Sequence, residues 1–278
     1  MMRNCLVAQS GGPTVAINSS LAGVIQGAID SKKFDKVYGS LNGVQGLLNG
    51  CLMDLTEKVE QVPMFIELLK KSPSMYLGSC RYQLPDYTED DAPYAYIFNK
   101  FETYEIDAFF YIGGNDSMDT VDKLNTYAKA VGKDVKIVGI PKTIDNDLAV
   151  TDHTPGFGSA AKFIAATMKE IIRDGLVYDY PTVTIVEIMG RNAGWLTAAA
   201  ALAKSDDCEG VDLIYLPEKV FDIDHFMARV KEIAANGRSM VIAVSEGIKV
   251  ADGRYVFELS EHVEFVDAFG HKQLAGSA

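Results

Sequence analysis

The chain has 278 residues, 48% hydrophobic and 23% charged, with a formal net charge of −12, which suffices for one large α/β domain or two smaller ones with separate cores. The acidic balance argues against a nonspecific nucleic-acid or membrane-surface binder, since both need a basic face. No run approaches eighteen apolar residues and the N-terminal apolar run is too short for a secretory signal, so a cytoplasmic protein without a membrane partner is expected.

Asn4 to Gln9 reads as a first strand, closed by Ser10-Gly11-Gly12-Pro13-Thr14 and followed by a helical run from Val15 to Ile29. Two adjacent glycines let a backbone approach an anion closely, although a plain βα turn would read the same. Asp35 to Ser40 is a short strand, Leu41 to Gly50 a Gly-rich loop or short helix, and Glu57 to Lys71 has apolar residues at helical spacing. Arg81, in the turn Leu77-Gly78-Ser79-Cys80-Arg81-Tyr82, is the earliest cation that could reach a phosphate; a solvated surface arginine is the plainer alternative. An acidic turn, Asp86 to Asp91, precedes a helix over Tyr94 to Tyr104.

The richest stretch runs from Tyr111 to Asp152. Two apolar runs, Ala108 to Ile112 and Val135 to Ile140, read as buried parallel strands, and ligands of open α/β sheets bind at such strand ends. The first ends in Gly113-Gly114-Asn115-Asp116-Ser117, which opens into a helix through Ala130 and suits a phosphate. The second ends in Pro141-Lys142-Thr143-Ile144-Asp145-Asn146-Asp147, with one cation and two carboxylates. That set suits phosphoryl transfer, the cation neutralising charge and a carboxylate taking a hydroxyl proton; an Asx-rich turn is the structural alternative.

A second unit is expected to begin after residue 150. It holds a helix over Gly158 to Arg173, a turn at Tyr178-Asp179-Tyr180-Pro181 and a strand over Val183 to Met189, closed by Gly190-Arg191-Asn192-Ala193-Gly194. Arg191 is poised to meet a phosphate or a transition state, with an Arg that caps the strand edge as the structural alternative. A helix over Trp195 to Lys204, a strand over Leu213 to Leu216, a helix over Asp224 to Ala235 and a strand over Ser239 to Val244 repeat the alternation. Glu246, just past that strand, could accept sugar hydroxyls or, as structure, cap a helix or loop, and residues 251–266 read as a short β excursion around Asp252-Gly253-Arg254. The βαβ alternation implies parallel, doubly wound sheets. Cys5, Cys51, Cys80 and Cys208 form no CxxC pair, and His153, His225, His262 and His271 lack ligand spacing, so neither a zinc site nor a catalytic thiol is expected.

Taken in order, SGGP, GSCRY, GGNDS, PKTIDND, MGRNAGW and SEG resemble the phosphofructokinase family over the whole chain, and within it the pyrophosphate-dependent branch. The resemblance implies two stacked doubly wound, Rossmann-like α/β domains with the site in a cleft between them: a donor domain over 1–150 and a domain for fructose 6-phosphate over 151–278. It implies pyrophosphate and fructose 6-phosphate as substrates, Mg²⁺ as cofactor and a homo-oligomer, a dimer or tetramer. It assigns Asp145 as the base for the sugar 1-hydroxyl, supported by Asp147, and Arg191 to stabilise the transferring phosphoryl group. Gly12, Arg81, Gly114 and Ser117 fall on the donor side; Thr143, Met189, Gly190 and Glu246 join Asp145, Asp147 and Arg191 around the sugar phosphate. ATP-using members carry Gly at the positions of Asp116 and Lys142. A carboxylate at 116 would repel the α-phosphate of ATP, and Lys142 would neutralise the leaving group.

Some positions depart from the family pattern. Asn115 stands where an Asp usually helps hold Mg²⁺, and Thr120 replaces a Gly near the ATP ribose. Thr182 replaces a substrate-binding Arg that reaches across a subunit interface in short bacterial relatives. Phe269-Gly270-His271-Lys272-Gln273 resembles the 6-phosphate turn, with His271 carried over and Lys272 as a substitute cation, but the flanking Arg positions are Phe265 and Leu274. The family's closing elements, roughly sixty residues or more, and a substrate-touching Tyr-x-x-Arg are absent after Ala278. The alternatives are therefore an ATP-dependent member or an inactive fragment.

Overall fold

The structure, a computed structural model, describes residues 3–259. The chain divides into two units, one ending at Thr143 and the other beginning at Ile144. This division precedes the boundary expected at 150, and packing explains it: the Ile144 side chain packs against a core cluster of the second unit.

The first unit is a five-stranded sheet of β1 (Arg3–Gln9), β2 (Phe34–Ser40), β3 (Leu52–Asp54), β4 (Ile106–Gly113) and β5 (Lys136–Pro141), in the order β3-β2-β1-β4-β5. Every pairing is parallel except β2 with β3. Successive strand side chains face opposite sides, so a strand covered on both sides reads as one apolar run. Cys5 and Val7 join Ile17, Leu21 and Ile25 of α1 (Ile17–Ser31) on one face. On the other, Leu6 and Ala8 join Ile97 and Phe101 of α5 (Ala92–Thr103) and Leu124 of α6 (Asn115–Ala130).

From β1 the chain crosses to β2 on one side; from β4 it crosses to β5 on the other. The neighbouring C-terminal ends of β1 and β4, where Gln9 is in register with Ile112, thus form a topological switch point. The two Gly-rich turns emerge there.

Local chemistry corrects three expected elements. The single helix over Glu57 to Lys71 is two, α3 (Leu55–Gln61) and α4 (Phe65–Lys71), after the short α2 (Gly43–Leu48). Pro63 biases its predecessor to extended backbone, and Val62 is extended at φ −112°, ψ 106°. The antiparallel β3 was not foreseen, because three residues carry too little periodicity. The described part of the expected β excursion keeps only an antiparallel bridge between Lys249 and Tyr255 around Asp252-Gly253-Arg254, with Lys249 also bridging Val220, and then a 3₁₀ turn, Val256–Leu259.

The second unit has three parallel strands, β6 (Val183–Ile188), β7 (Leu213–Tyr215) and β8 (Met240–Ser245), in the order β6-β8-β7. Central β8 is buried throughout. Val241 and Ala243 pack with Met168 of α7 (Phe157–Gly175) and Leu196 of α8 (Trp195–Ala198), while Met240 and Ile242 pack with Ile233 of α9 (Ile223–Ala234). The expected helix over Trp195 to Lys204 tightens into a 3₁₀ turn after Ala198.

Candidate active site

In the first unit, three chain segments meet at the switch point. Ser10 donates its amide to the Ile112 carbonyl at 2.9 Å, and Lys142 donates its amide to the Gly113 carbonyl at 3.0 Å. Gly11 has φ +80°, and a Cβ there would stand 3.3 Å from the Gly114 nitrogen and 3.4 Å from Lys142 Nζ. Only glycine suits both that conformation and that approach. The Lys142 side chain is buried, and its Nζ donates to the Gly12 carbonyl at 2.5 Å. A buried ammonium thus lies against the first glycine turn, while the backbone of the same lysine is bonded to the second.

The segment carrying Arg81 is fastened to the same turn. Ser79 Oγ donates to the Gly11 carbonyl at 2.7 Å, Ser10 Oγ to the Cys80 carbonyl at 3.1 Å, and the Leu77 amide to Gln9 Oε1 at 2.9 Å. Arg81 itself is exposed. Beneath the turn, the Tyr111 hydroxyl accepts the Val44 amide at 3.3 Å; burial, helped by the neighbouring Cys80 thiol, pushes that phenol well above its usual range.

Helix α6 begins at Asn115 with Gly114 as its N-cap, so its first-turn amides and positive dipole end face the strand ends. Asn115 and Asp116 are exposed there, whereas Ser117 is buried; a Cβ on Gly113 would fall 2.0 Å from the Ser117 hydroxyl. Thr120 is also buried and donates to the Asp116 carbonyl at 3.0 Å, steadying the turn that presents the carboxylate. The first unit therefore offers backbone donors, one buried ammonium and an exposed carboxylate to a polyanion.

In the second unit, Asp145 is half-buried and Asp147 exposed, with buried Asn146 between them. Gly190, at φ +129°, donates its amide to Glu246 Oε1 at 2.9 Å, and its carbonyl accepts Ser245 Oγ at 2.7 Å. The Gly194 amide donates to Glu218 Oε1 at 2.7 Å. Two carboxylates therefore hold the turn that carries Arg191, and a Cβ on Gly247 would strike the Arg191 carbonyl at 1.8 Å. Met189 is 61% exposed. A cavity of about 480 Å³ is lined by Glu187, Ser245 and Glu246 with Phe221, Phe226 and Phe257. Burial, then the Glu246 charge, raises the Glu187 pKa.

The first unit thus gathers Gly12, Gly114, Asp116, Lys142 and the Arg81 segment around the β1 and β4 ends. The second brings Gly190, Arg191 and Glu246 to the neighbouring ends of β6 and β8. Thr143 and Asp145 flank the junction of the units, and His271 lies outside the described residues.

A phosphofructokinase family model matches residues 4–278. The chain belongs to the phosphofructokinase family. It is 43% identical over 278 residues to a pyrophosphate–fructose 6-phosphate 1-phosphotransferase of Rhodospirillum rubrum, covering 98% of this chain and 65% of that one. A namesake from Xanthomonas campestris is 42% identical, with 99% and 64% covered. The fold is similar to the crystal structure of a pyrophosphate-dependent phosphofructokinase from Nitrosospira multiformis, with a TM-score of 0.81 and 37% identity over 91% of this chain and 63% of that one. The chain thus spans about 65% of the length of the first of these relatives.

Sequence reading missed the residues that hold the site together. Ser10, Ser79, Thr120, Glu218 and Ser245 each bond a backbone group of a site turn. Their signal was available for the serines, Ser10 and Ser245 near Gly at strand ends and Ser79 beside Gly78 in a turn. Glu218 gave none, since its partner is distant in sequence.

Proposed function

We propose that this phosphofructokinase moves a phosphoryl group from pyrophosphate to the 1-hydroxyl of fructose 6-phosphate, releasing phosphate and fructose 1,6-bisphosphate. The observation that carries this reading is Lys142, buried with its Nζ on Gly12 and beside Gly11, with Asp116 exposed in the first turn of α6. A cation at that point favours a compact dianionic leaving group, and a carboxylate beyond it disfavours the longer phosphate chain of ATP.

Asp145 takes the proton from the sugar 1-hydroxyl as that oxygen bonds to phosphorus and the bridging P–O bond of pyrophosphate breaks. Asp147 supports the base, and Arg191 and Lys142 offset charge on the transferring group and the departing phosphate. Thr143, Met189, Gly190 and Glu246 complete the sugar-phosphate contacts. Glu246 Oε1 already holds Gly190, so hydroxyls would be accepted at Oε2. Gly12, Gly114, the Ser117 turn and Arg81 hold the donor.

Among the described residues, no group of three or more His, Cys, Asp or Glu could hold a metal alone. Exposed Asn115 and Asp116 nevertheless fit Mg²⁺, which is usually held by one or two side-chain oxygens and by substrate phosphates. Asn115 and Asp116 would hold the ion, and when bound it would supply positive charge against that of the phosphates. We also propose a cytoplasmic homo-oligomer: the four free thiols suit a reducing compartment, and exposed Phe163, Leu176, Val177 and Tyr180 suit a subunit contact.

The test is kcat/KM of the whole protein with pyrophosphate and with ATP. Pyrophosphate should be the better donor by at least about tenfold, a difference of roughly 1.4 kcal/mol. Equal use of both would overturn the donor assignment.

A further inference from the structure

We infer that Asn146, which sits between the proposed base and its supporting carboxylate, is the positioning residue that fixes both. This rests on the reading of Asp145 as the base. Asn146 is buried, has φ +58°, and uses both ends of its side-chain amide. Its Nδ2 donates to the Asp152 carbonyl at 3.0 Å, and its Oδ1 accepts the Thr154 amide at 2.9 Å. The Thr154 donor and the Asp152 acceptor also fix which end of the amide is oxygen.

One side chain thus closes the loop of residues 146–154 as a pair of ladder bonds would. The Thr154 carbonyl in turn accepts the Phe157 amide at 3.1 Å, at the start of α7. The carboxylates at 145 and 147 are consequently carried on a backbone anchored at the residue between them. Left-handed backbone is costly for most residues but is visited by Asn and Gly, so two properties of Asn are used together: its tolerated conformation and its paired amide. Val150 in the same loop is also left-handed, at φ +56°, with its side chain fully exposed.

A base must sit within hydrogen-bond reach of its proton, and a shift of about 1 Å can cost on the order of a hundredfold in rate. Asn146→Gly keeps the left-handed backbone and removes both anchoring bonds. In the whole protein it should lower kcat by about 10- to 100-fold while KM for fructose 6-phosphate stays within about threefold. The discriminating measurement is a double-mutant cycle with Asp145→Asn. If Asn146 acts through the base, Asn146→Gly should change the residual rate of Asp145→Asn by less than about threefold. Asn146→Asp retains the acceptor for Thr154 and should recover part of kcat; the same cycle run with it decides the matter if Asn146→Gly does not fold. An unchanged kcat in Asn146→Gly, or an equal loss in both backgrounds, overturns the positioning role alone. A fully active Asp145→Asn overturns the base assignment and this inference together.

Discussion

At the scale of single residues, the proposed function gives Asp116 a part in donor binding and Lys142 a part in the chemistry. Asp116 is exposed, so its repulsion of a phosphate about 4 Å away lies between about 1 kcal/mol in water and about 4 kcal/mol at an effective dielectric of about 20, roughly 5- to 1,000-fold in binding. Asp116→Asn keeps the shape and removes the charge, so kcat/KM for ATP should rise within that range while pyrophosphate use changes little. Lys142 is buried and held at Gly12, so Lys142→Met keeps the apolar stem and deletes only the ammonium. A fixed charge acting on a developing one is worth on the order of 10²–10³ in rate, and the loss should appear in kcat with pyrophosphate. A Lys142→Met enzyme that keeps the parental kcat would remove the basis for its role. The charges themselves were legible in the chain, because a cation and carboxylates at strand ends are chemically conspicuous. The burial of Lys142 was not, since it depends on Gly11 and Gly12, distant in sequence, leaving room for its Nζ.

At the scale of elements, the sequence showed strands and long helices well where both faces of an element are committed. The apolar runs of β1, β4 and β8 are continuous because helices cover both sides. Legibility failed where three or four residues decide the outcome, as at β3, at the break before α4 and at the 3₁₀ turn after α8. Pro63 carried a local signal for the break, whereas β3 exists only through its pairing with β2. A tertiary link of the same kind joins α7 to the loop that follows the 3₁₀ turn: Asp207 accepts Lys169 at 2.6 Å and pairs with Arg173. The bond from Lys169, then that from Ser205, holds its pKa down, from 3.8 to about 2. The folded state thus binds this proton less readily than the unfolded state. The link stabilises fully above about pH 4 and is lost as pH falls toward 2. Urea unfolding of the parent and of Asp207→Asn should differ by a constant amount near neutral pH, converge below pH 4 and coincide near pH 2. A difference that persists unchanged to pH 2 would show that Asp207 acts otherwise. The pair is exposed, so the effect should be small and should shrink with added salt.

At the scale of the whole chain, the two units differ in how completely they bury their side chains. Among the described residues, the largest fully buried ones, including Tyr94, Tyr111, Phe101, Phe109, Leu6 and Ile17, all precede Thr143. The second unit instead exposes Leu176, Val177, Val183 and Ile185, the last two on β6 at the edge of a three-stranded sheet. Burial of apolar area contributes about 25 cal/mol per Å², so the second unit has the smaller hydrophobic stabilisation to set against its chain entropy. The 278-residue chain should therefore unfold in two steps, the second unit first. The chain's single tryptophan, Trp195, begins α8 and meets Phe157 edge-on at 6.4 Å, which makes its fluorescence a reporter of the second unit alone. In urea, the Trp195 transition should have a lower midpoint than the far-ultraviolet circular dichroism of the chain, whose later phase follows the first unit. Hydrogen exchange supplies the independent check, with amides of β6 and β7 expected to exchange before those of β1 and β4. Coincident midpoints, together with equal protection in the two sheets, would mean that the units unfold as one and that the difference in burial does not govern their stability.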